Sequence, residues 1–80
     1  MKNQLYLHEA IVIALINIDK VTYTASFEQI ANYIEGRGLY LERKGNISLS
    51  KQVELRSIQS KKRYAYLFKD LGNGSIKLNM

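Results

Sequence analysis

The 80-residue sequence contains no cysteine, no proline and no tryptophan, and His8 is its single histidine. The absence of cysteine excludes a disulfide framework, a thiolate metal site and a cysteine nucleophile. A lone histidine lacks the partner that would orient a catalytic imidazole, so His8 is best explained as a packed or partly exposed side chain. The seven acidic residues have no recognisable metal-ligand spacing. We therefore expect no enzyme, no metal, no other cofactor and no small-molecule substrate.

Long apolar runs are also missing. The longest begins at Ala10 and has seven residues, whereas a membrane-spanning helix needs about 18–20. The N-terminal segment lacks the features of a signal peptide, because His8 and Glu9 interrupt it early. These absences predict a cytoplasmic protein with no membrane contact. The short length, with no linker and no internal repeat, predicts one domain over residues 1–80.

Positive charge is concentrated in the C-terminal half of the chain, whose net charge as a whole is +5. Residues 1–40 contain three Lys or Arg against four Asp or Glu, a net charge of −1. Residues 41–80 contain nine against three, a net charge of +6. A basic half beside a near-neutral half is the distribution expected of a protein that binds a polyanion. The alternative is a basic surface that serves solubility alone.

The first helix is predicted over residues 6–18. Four apolar residues at spacings of four, four and three define one face of it: Leu7, Ile11, Leu15 and Ile18. Further apolar side chains widen that face, so we expect this helix in the core, buried between the other two helices. Residues 20–24 are β-branched and aromatic, which indicates a short first strand.

A second helix is predicted to begin after Ser26. Ser26 and Gln29 have the spacing of a capping box, in which each side chain hydrogen-bonds the other residue's backbone amide. Gly36 and Gly38 are predicted to end the helix, one of them in the left-handed conformation that glycine adopts readily. Residues 38–46 are predicted to form a connecting loop.

A third helix is predicted over residues 48–60, but its apolar residues do not form one stripe. Leu49 and Val53 lie on one side of such a helix, whereas Leu55 and Ile58 lie nearly opposite. Either the helix is buried on two sides, or it ends early and Ile58 belongs to a different segment. The small size of the domain favours Leu55 in the core, because few apolar residues can be left on the surface.

The C-terminal segment predicts a β-hairpin. Residues 64–69 form the first strand, which alternates with Tyr64, Tyr66 and Phe68 on one face. Gly72-Asn73-Gly74 form the turn, and residues 75–78 form the return strand. Tight hairpin turns need φ > 0, which glycine and asparagine adopt at low cost. Three helices, a short first strand and this antiparallel hairpin together predict an α+β fold, a small winged helix. Winged helices are most often DNA-binding modules.

Four parts of the chain form a pattern: Glu9-Ala10 in the first helix, Ile30 in the second, Gly38-Leu39-Tyr40 after it, and a Phe, basic, Gly, Gly and Leu series within residues 68–78. This pattern resembles that of the HARE-type winged-helix family. The family occurs fused to restriction endonucleases and in chromatin factors. The resemblance implies a winged-helix domain that binds DNA or, as is thought of some members, a protein. Where the family usually begins its third helix with Thr-Pro, this chain has Ser48-Leu49.

The winged-helix interpretation predicts which side chains contact DNA. On the outward side of the third helix, a glutamine can pair with adenine, an arginine with guanine, and a lysine mostly meets phosphate. The basic cluster before the hairpin is expected to contact phosphates. Lys69 and Lys77 are expected to face each other across the two strands and to flank the wing. The predicted DNA-binding residues are Lys51, Gln52, Arg56, Lys61, Lys62, Arg63, Lys69, Asn73 and Lys77. Tyr64 and Tyr66 suit base stacking, although in a small domain without tryptophan such residues more commonly fill the core.

Double-stranded DNA is therefore the expected partner, bound by a small regulator of transcription. The alternative is a protein-interaction or dimerisation module of the same fold, in which Leu55 and Ile58 form a patch for a partner or a second copy. The two hypotheses are compatible, because most small DNA readers act as dimers on two half-sites. The pattern leaves the DNA sequence specificity and the oligomeric state open.

Overall fold

The structure, a computed structural model, describes residues 5–40, 47–59 and 63–79. In chain order its elements are α1 (Leu7–Ile18), β1 (Thr24–Ser26), α2 (Phe27–Arg37), α3 (Leu49–Arg56), a 3-10 helix (Ala65–Leu67), β2 (Phe68–Asp70) and β3 (Ser75–Leu78). The strands form one antiparallel sheet in the order β1-β3-β2. The predicted α+β class, with three helices and a C-terminal hairpin, is confirmed. Among these described residues, no helix is long and apolar enough to cross a membrane.

Helix α1 provides the centre of the core. It packs against α2 and α3, which also contact each other, and against β1 and β3. Its buried face extends the predicted stripe and consists of Leu7, Ala10, Ile11, Ala14 and Leu15. Ile16 points away and is 42% exposed. The apolar spacing therefore identified the buried face correctly. The prediction that this helix lies between the other two is wrong, because α2 and α3 pack directly against each other.

Strand β1 begins later than the sequence predicted, at Thr24 rather than at residue 20. The cause is Asp19, whose carboxylate accepts hydrogen bonds from the amides of Val21 and Thr22, both at 3.0 Å, and from the Thr22 hydroxyl at 2.6 Å. Led by the Thr22 hydroxyl, these bonds lower the pKa of Asp19. A carboxylate that closes a turn in this way competes with an extended backbone. Tyr23 completes the turn at φ 54°.

The boundaries of α2 are those predicted from local chemistry. The Gln29 amide donates to Ser26 Oγ at 3.1 Å, and the Ser26 amide donates to Gln29 Oε1 at 2.9 Å, so the capping box is confirmed. At the other end, Gly38 adopts the left-handed conformation with φ 62°. Gly36 lies inside the helix. Of the two glycines predicted to end α2, Gly38 is therefore the one that does.

Replacing each of these two glycines by alanine should change the free energy of unfolding in opposite directions. Gly38→Ala should destabilise the domain by about 1–2 kcal/mol, because only glycine adopts φ > 0 without a Cβ penalty. Gly36→Ala should stabilise it by about 0.5–1 kcal/mol, since alanine loses less backbone entropy in a helix. A Cβ at either position meets nothing within 4 Å, so steric clash does not contribute. Urea unfolding of both variants measures these changes. A loss of stability in both variants, or a gain in both, would contradict the different conformations assigned to the two glycines.

Helix α3 is shorter than predicted, eight residues that end at Arg56. Ser48 is its N-cap and accepts from the Lys51 amide at 3.2 Å. At its end, the buried Ser57 hydroxyl donates to Val53 O at 2.7 Å while the Ser57 backbone leaves the helical region. Ile58 therefore belongs to a different segment, which was the second of the two alternatives. It packs against the core from there.

Leu55 corrects one prediction. It was expected in the core, and it is 39% exposed. The early end of α3 explains the difference, because a single short stretch of helix needs only one buried face. That face consists of Leu49, Gln52 and Val53, at spacings of three and one.

The hairpin is confirmed, but its first strand is shorter than predicted. Strand β2 pairs with β3, with Phe68 opposite Leu78 and Lys69 opposite Lys77. Gly72 and Gly74 have φ of 78° and 81°, as the turn prediction required. Upstream of β2 the chain forms the 3-10 helix instead of a strand, so the predicted alternation of Tyr64, Tyr66 and Phe68 on one face is wrong. Bonds from far along the chain hold this conformation: Asn79 donates its amide to Leu67 O at 2.8 Å and its side chain to Tyr66 O at 3.1 Å.

Candidate nucleic-acid interface

Most of the net positive charge lies outside the described part of the chain. Lys61 and Lys62, two of the predicted DNA contacts, belong to this remainder. The described residues contain seven Lys or Arg against six Asp or Glu, a net charge of +1. The other residues contain five against one, a net charge of +4. The described candidate residues fall into three groups.

The first group, Lys51 and Asn73, lies on one groove. This groove runs between the first turn of α3, the first turn of α2 and the β2–β3 turn, and its lining includes Ser26, Ser48 and Gly74. Lys51 is exposed, and its Nζ lies 3.4 Å from Glu54 Oε1. An exposed ion pair of this kind is weak and is easily exchanged for another anion. The hairpin turn and the start of α3 therefore form neighbouring parts of one surface.

Gln52 corrects a site prediction. It was placed on the outward side of the third helix as a reader of adenine, and it is only 5% exposed. Its Nε2 donates to Ile47 O at 3.3 Å, which satisfies the amide inside the fold. Gln52 shares the buried face of α3 with Leu49 and Val53, so its side chain is not available to read a base. The outward residues of α3 are Lys51 and Leu55, with Arg56 half-buried at its end.

The second group, Arg56 and Arg63, lies at the opposite end of α3. Both line one pocket, together with Leu55 and Ile47. The Arg56 guanidinium carbon is 5.9 Å from the centre of the Tyr64 ring, within the range of a cation–π contact. Within the described segments, no carboxylate lies within 4.0 Å of either guanidinium. Among the described residues, neither arginine therefore has a carboxylate partner that would compete with a bound anion.

Tyr64 belongs to an aromatic stack that sequence reasoning missed. Its ring lies 3.9 Å from that of His8 at an interplanar angle of 11°, and His8 lies 5.9 Å from Tyr6 at 8°. The stack joins the first turn of α1 to the segment before the hairpin. No local pattern relates positions so far apart in the sequence. His8 is half-buried, which agrees with a packed or partly exposed histidine.

The third group, Lys69 and Lys77, lies on the sheet. The two residues are direct cross-strand partners, as predicted. Phe68 and Ile76, their neighbours in sequence, are buried, so the alternation of a strand directs both lysines to the outer face. Thr24 of β1 lies opposite Lys77 in the same row. Like charges directly opposite each other destabilise a sheet, unless an anion lies between them.

The described residues contain no group of three or more His, Asp or Glu side chains that could hold a metal ion. No protein-family model, curated protein or solved structure matches the chain. The function is therefore argued from the residues themselves.

Proposed function

We propose that this chain is a winged-helix module that binds duplex DNA through α3, the basic segment before the hairpin, and the hairpin itself. One observation gives the main support. The turn residues Asn73 and Gly74 line the same groove as Lys51 and Ser48 at the start of α3. A wing beside the third helix is the arrangement with which winged helices meet a duplex.

The strand order supports the same fold. Strand β3 lies between β1 and β2, so the hairpin is tied through β1 to the start of α2. Ala25 pairs with Ile76, and the Phe27 amide donates to Gly74 O at 3.1 Å. These bonds fix the hairpin turn relative to the helices. A fixed turn can contact DNA at the same time as α3 without first being ordered.

The exposed side chains favour phosphate contacts over base recognition. Lys51, Lys69 and Arg63 are exposed and can reach backbone phosphates. Burial of Gln52 removes the one amide of α3 that was predicted to read adenine. Arg56 stays as the candidate for guanine. The proposal is therefore binding that tolerates many DNA sequences.

Single charge removals test this surface. Fluorescence anisotropy with a random-sequence duplex measures the binding constant at several salt concentrations. Arg63→Gln and Lys69→Gln should each weaken binding at low salt. Each should also lower by about one the magnitude of the salt slope, the slope of the logarithm of the binding constant against the logarithm of salt concentration, because one counterion fewer is released. Arg37→Gln is the matched control. Arg37 ends α2 in the near-neutral half and lies 4.9 Å from the Tyr33 ring. Equal losses for all three variants would indicate attraction to the net charge alone and would contradict a defined surface.

A second candidate function is protein interaction or dimerisation. Leu55 is 39% exposed and Ile47 is 41% exposed, and both line the pocket of Arg56 and Arg63. Ile58, predicted to share such a patch with Leu55, packs against the core instead. Of the predicted patch, Leu55 is therefore exposed, and Ile47 is the exposed apolar residue beside it in this pocket. Sedimentation of the Leu55→Lys variant, treated in the Discussion, tests this candidate.

A further inference from the structure

The pocket at the end of α3 has a volume of about 270 Å³. Its apolar lining among the described residues comes from four separate places in the chain: Leu7, Tyr40, Ile47 and Leu55. Leu7 and Tyr40 are buried, and Ile47 and Leu55 form a partly exposed rim. A cavity of about 150 Å³ is enough to hold benzene. The pocket therefore has room for one aromatic or branched aliphatic group together with a small polar group.

The charged groups among the described lining residues are all positive. The polar part of the lining consists of the Gln52 amide and the guanidinium groups of Arg56 and Arg63, and no acidic residue is among the described lining residues. Arg56 is held in place by its 5.9 Å contact with the Tyr64 ring. Neither arginine is neutralised by a carboxylate in the described segments. Guanidinium groups bind carboxylates through paired, charge-assisted hydrogen bonds.

We propose that this pocket binds a small organic acid, with an apolar body against Leu7, Tyr40 and Leu55 and a carboxylate against Arg56 and Arg63. The sequence alone predicted no small-molecule substrate, because the lining residues are brought together only by folding. An inorganic anion would use the two arginines but leave the apolar lining in water. A neutral apolar compound would leave the arginines without a partner. An apolar carboxylate matches both parts of the lining.

Such a ligand would also affect DNA binding, a consequence that rests on the proposed function. Arg56 and Arg63 are both predicted DNA contacts, and a carboxylate between them would neutralise part of that surface. Bound acid and bound duplex would then exclude each other, each weakening the binding of the other by the same factor. The test of the pocket itself uses no DNA, so its failure would leave the DNA proposal standing.

The test is an NMR titration of the full 80-residue chain with 3-phenylpropanoate and, separately, with the uncharged 3-phenylpropanamide. The acid should shift the amide resonances of Gln52, Leu55 and Arg56 and bind with a dissociation constant of about 1 mM or tighter, as expected of a ligand this small. The amide should bind at least about tenfold more weakly, since it lacks the charge that the arginines recognise.

Two double variants separate the pocket from the overall charge. Arg56→Gln with Arg63→Gln should remove the preference for the acid, whereas Lys69→Gln with Lys77→Gln removes the same charge from the sheet and should leave it intact. The amide spectrum reports whether each variant is folded, and Arg63→Gln alone, at an exposed position, replaces the first pair if it is not. Equal affinity for acid and amide, an equal loss in both variants, or no shift at the pocket residues would overturn the proposal.

Discussion

Val53→Lys should abolish cooperative folding. Val53 is fully buried on α3 and belongs to the core with Leu49 and Ile30. A lysine there places an ammonium group among the apolar side chains of the core, which costs several kcal/mol. A domain of this length has only about 4–12 kcal/mol of stability in total. Lysine is a better helix former than valine, so helix propensity works against this outcome and cannot explain it.

Leu55→Lys is the matched control, two residues away on the same helix. Leu55 is 39% exposed, and leucine and lysine have similar helix propensities. The free energy of unfolding should therefore change by only about 0.5 kcal/mol or less. Thermal melting by circular dichroism compares the two variants with the parent. Unfolding of Leu55→Lys, or a folded Val53→Lys, would mean that the buried face of α3 has been assigned wrongly.

The same Leu55→Lys protein distinguishes the two candidate functions. If Leu55 and Ile47 form a protein-binding surface, the folded variant should lose self-association in sedimentation while the parent retains it. A parent that is monomeric at all concentrations would argue against dimerisation through this surface. Lysine at this position adds a positive charge, so DNA binding should not fall.

The features that the sequence predicted correctly depend on neighbours within three or four residues. The Ser26 and Gln29 capping box, the left-handed Gly38 and the glycine-bounded hairpin turn are of this kind. In each, a backbone group finds its partner locally or a glycine takes a φ that other residues avoid. The buried face of α1 was also predictable, because its apolar residues recur with the period of a helix.

The errors have identifiable physical causes. Residues 20–23 have β propensity, but the Asp19 carboxylate captures two of their amides. Residues 64–67 alternate like a strand, but Asn79 supplies hydrogen bonds from the far end of the hairpin. The β propensity of a residue takes no account of a hydrogen-bond partner elsewhere in the chain, such as Asp19 or Asn79 here.

Contacts within the hairpin were predictable from the sequence, whereas contacts between distant parts of the candidate site were not. Lys69 and Lys77 were expected to face each other, and they do. The winged-helix interpretation placed Gln52 on the outward side of the third helix, but the Ile47 carbonyl satisfies its amide inside the fold. The spacing of Gln52 from Leu49 and Val53 was the one indication of its burial. Nothing in the sequence relates Arg56 to Arg63 or His8 to Tyr64, because these pairs form only when the chain folds.

The second large effect concerns the basic cluster before the hairpin. Replacing Lys61, Lys62 and Arg63 together by alanine should lower the magnitude of the salt slope of DNA binding by up to about three, since each phosphate contact releases about 0.9 counterion. The charge-matched control replaces Lys2, Lys20 and Arg37, which are all the cations of residues 1–40. Both triple variants have a net charge of +2 at pH 7, from +5 in the parent. A surface defined by the C-terminal half predicts that the control keeps nearly the whole slope.

The most direct test of DNA binding is the parent protein titrated with random-sequence duplex at several salt concentrations. If five to seven of the predicted cations meet phosphates, the logarithm of the binding constant should fall with the logarithm of salt concentration at a slope of about −4.5 to −6. A slope in that range, lowered by the triple variant and not by its control, is the result that the proposal predicts. Absence of any binding at low salt would contradict it and would favour the second candidate function, protein interaction.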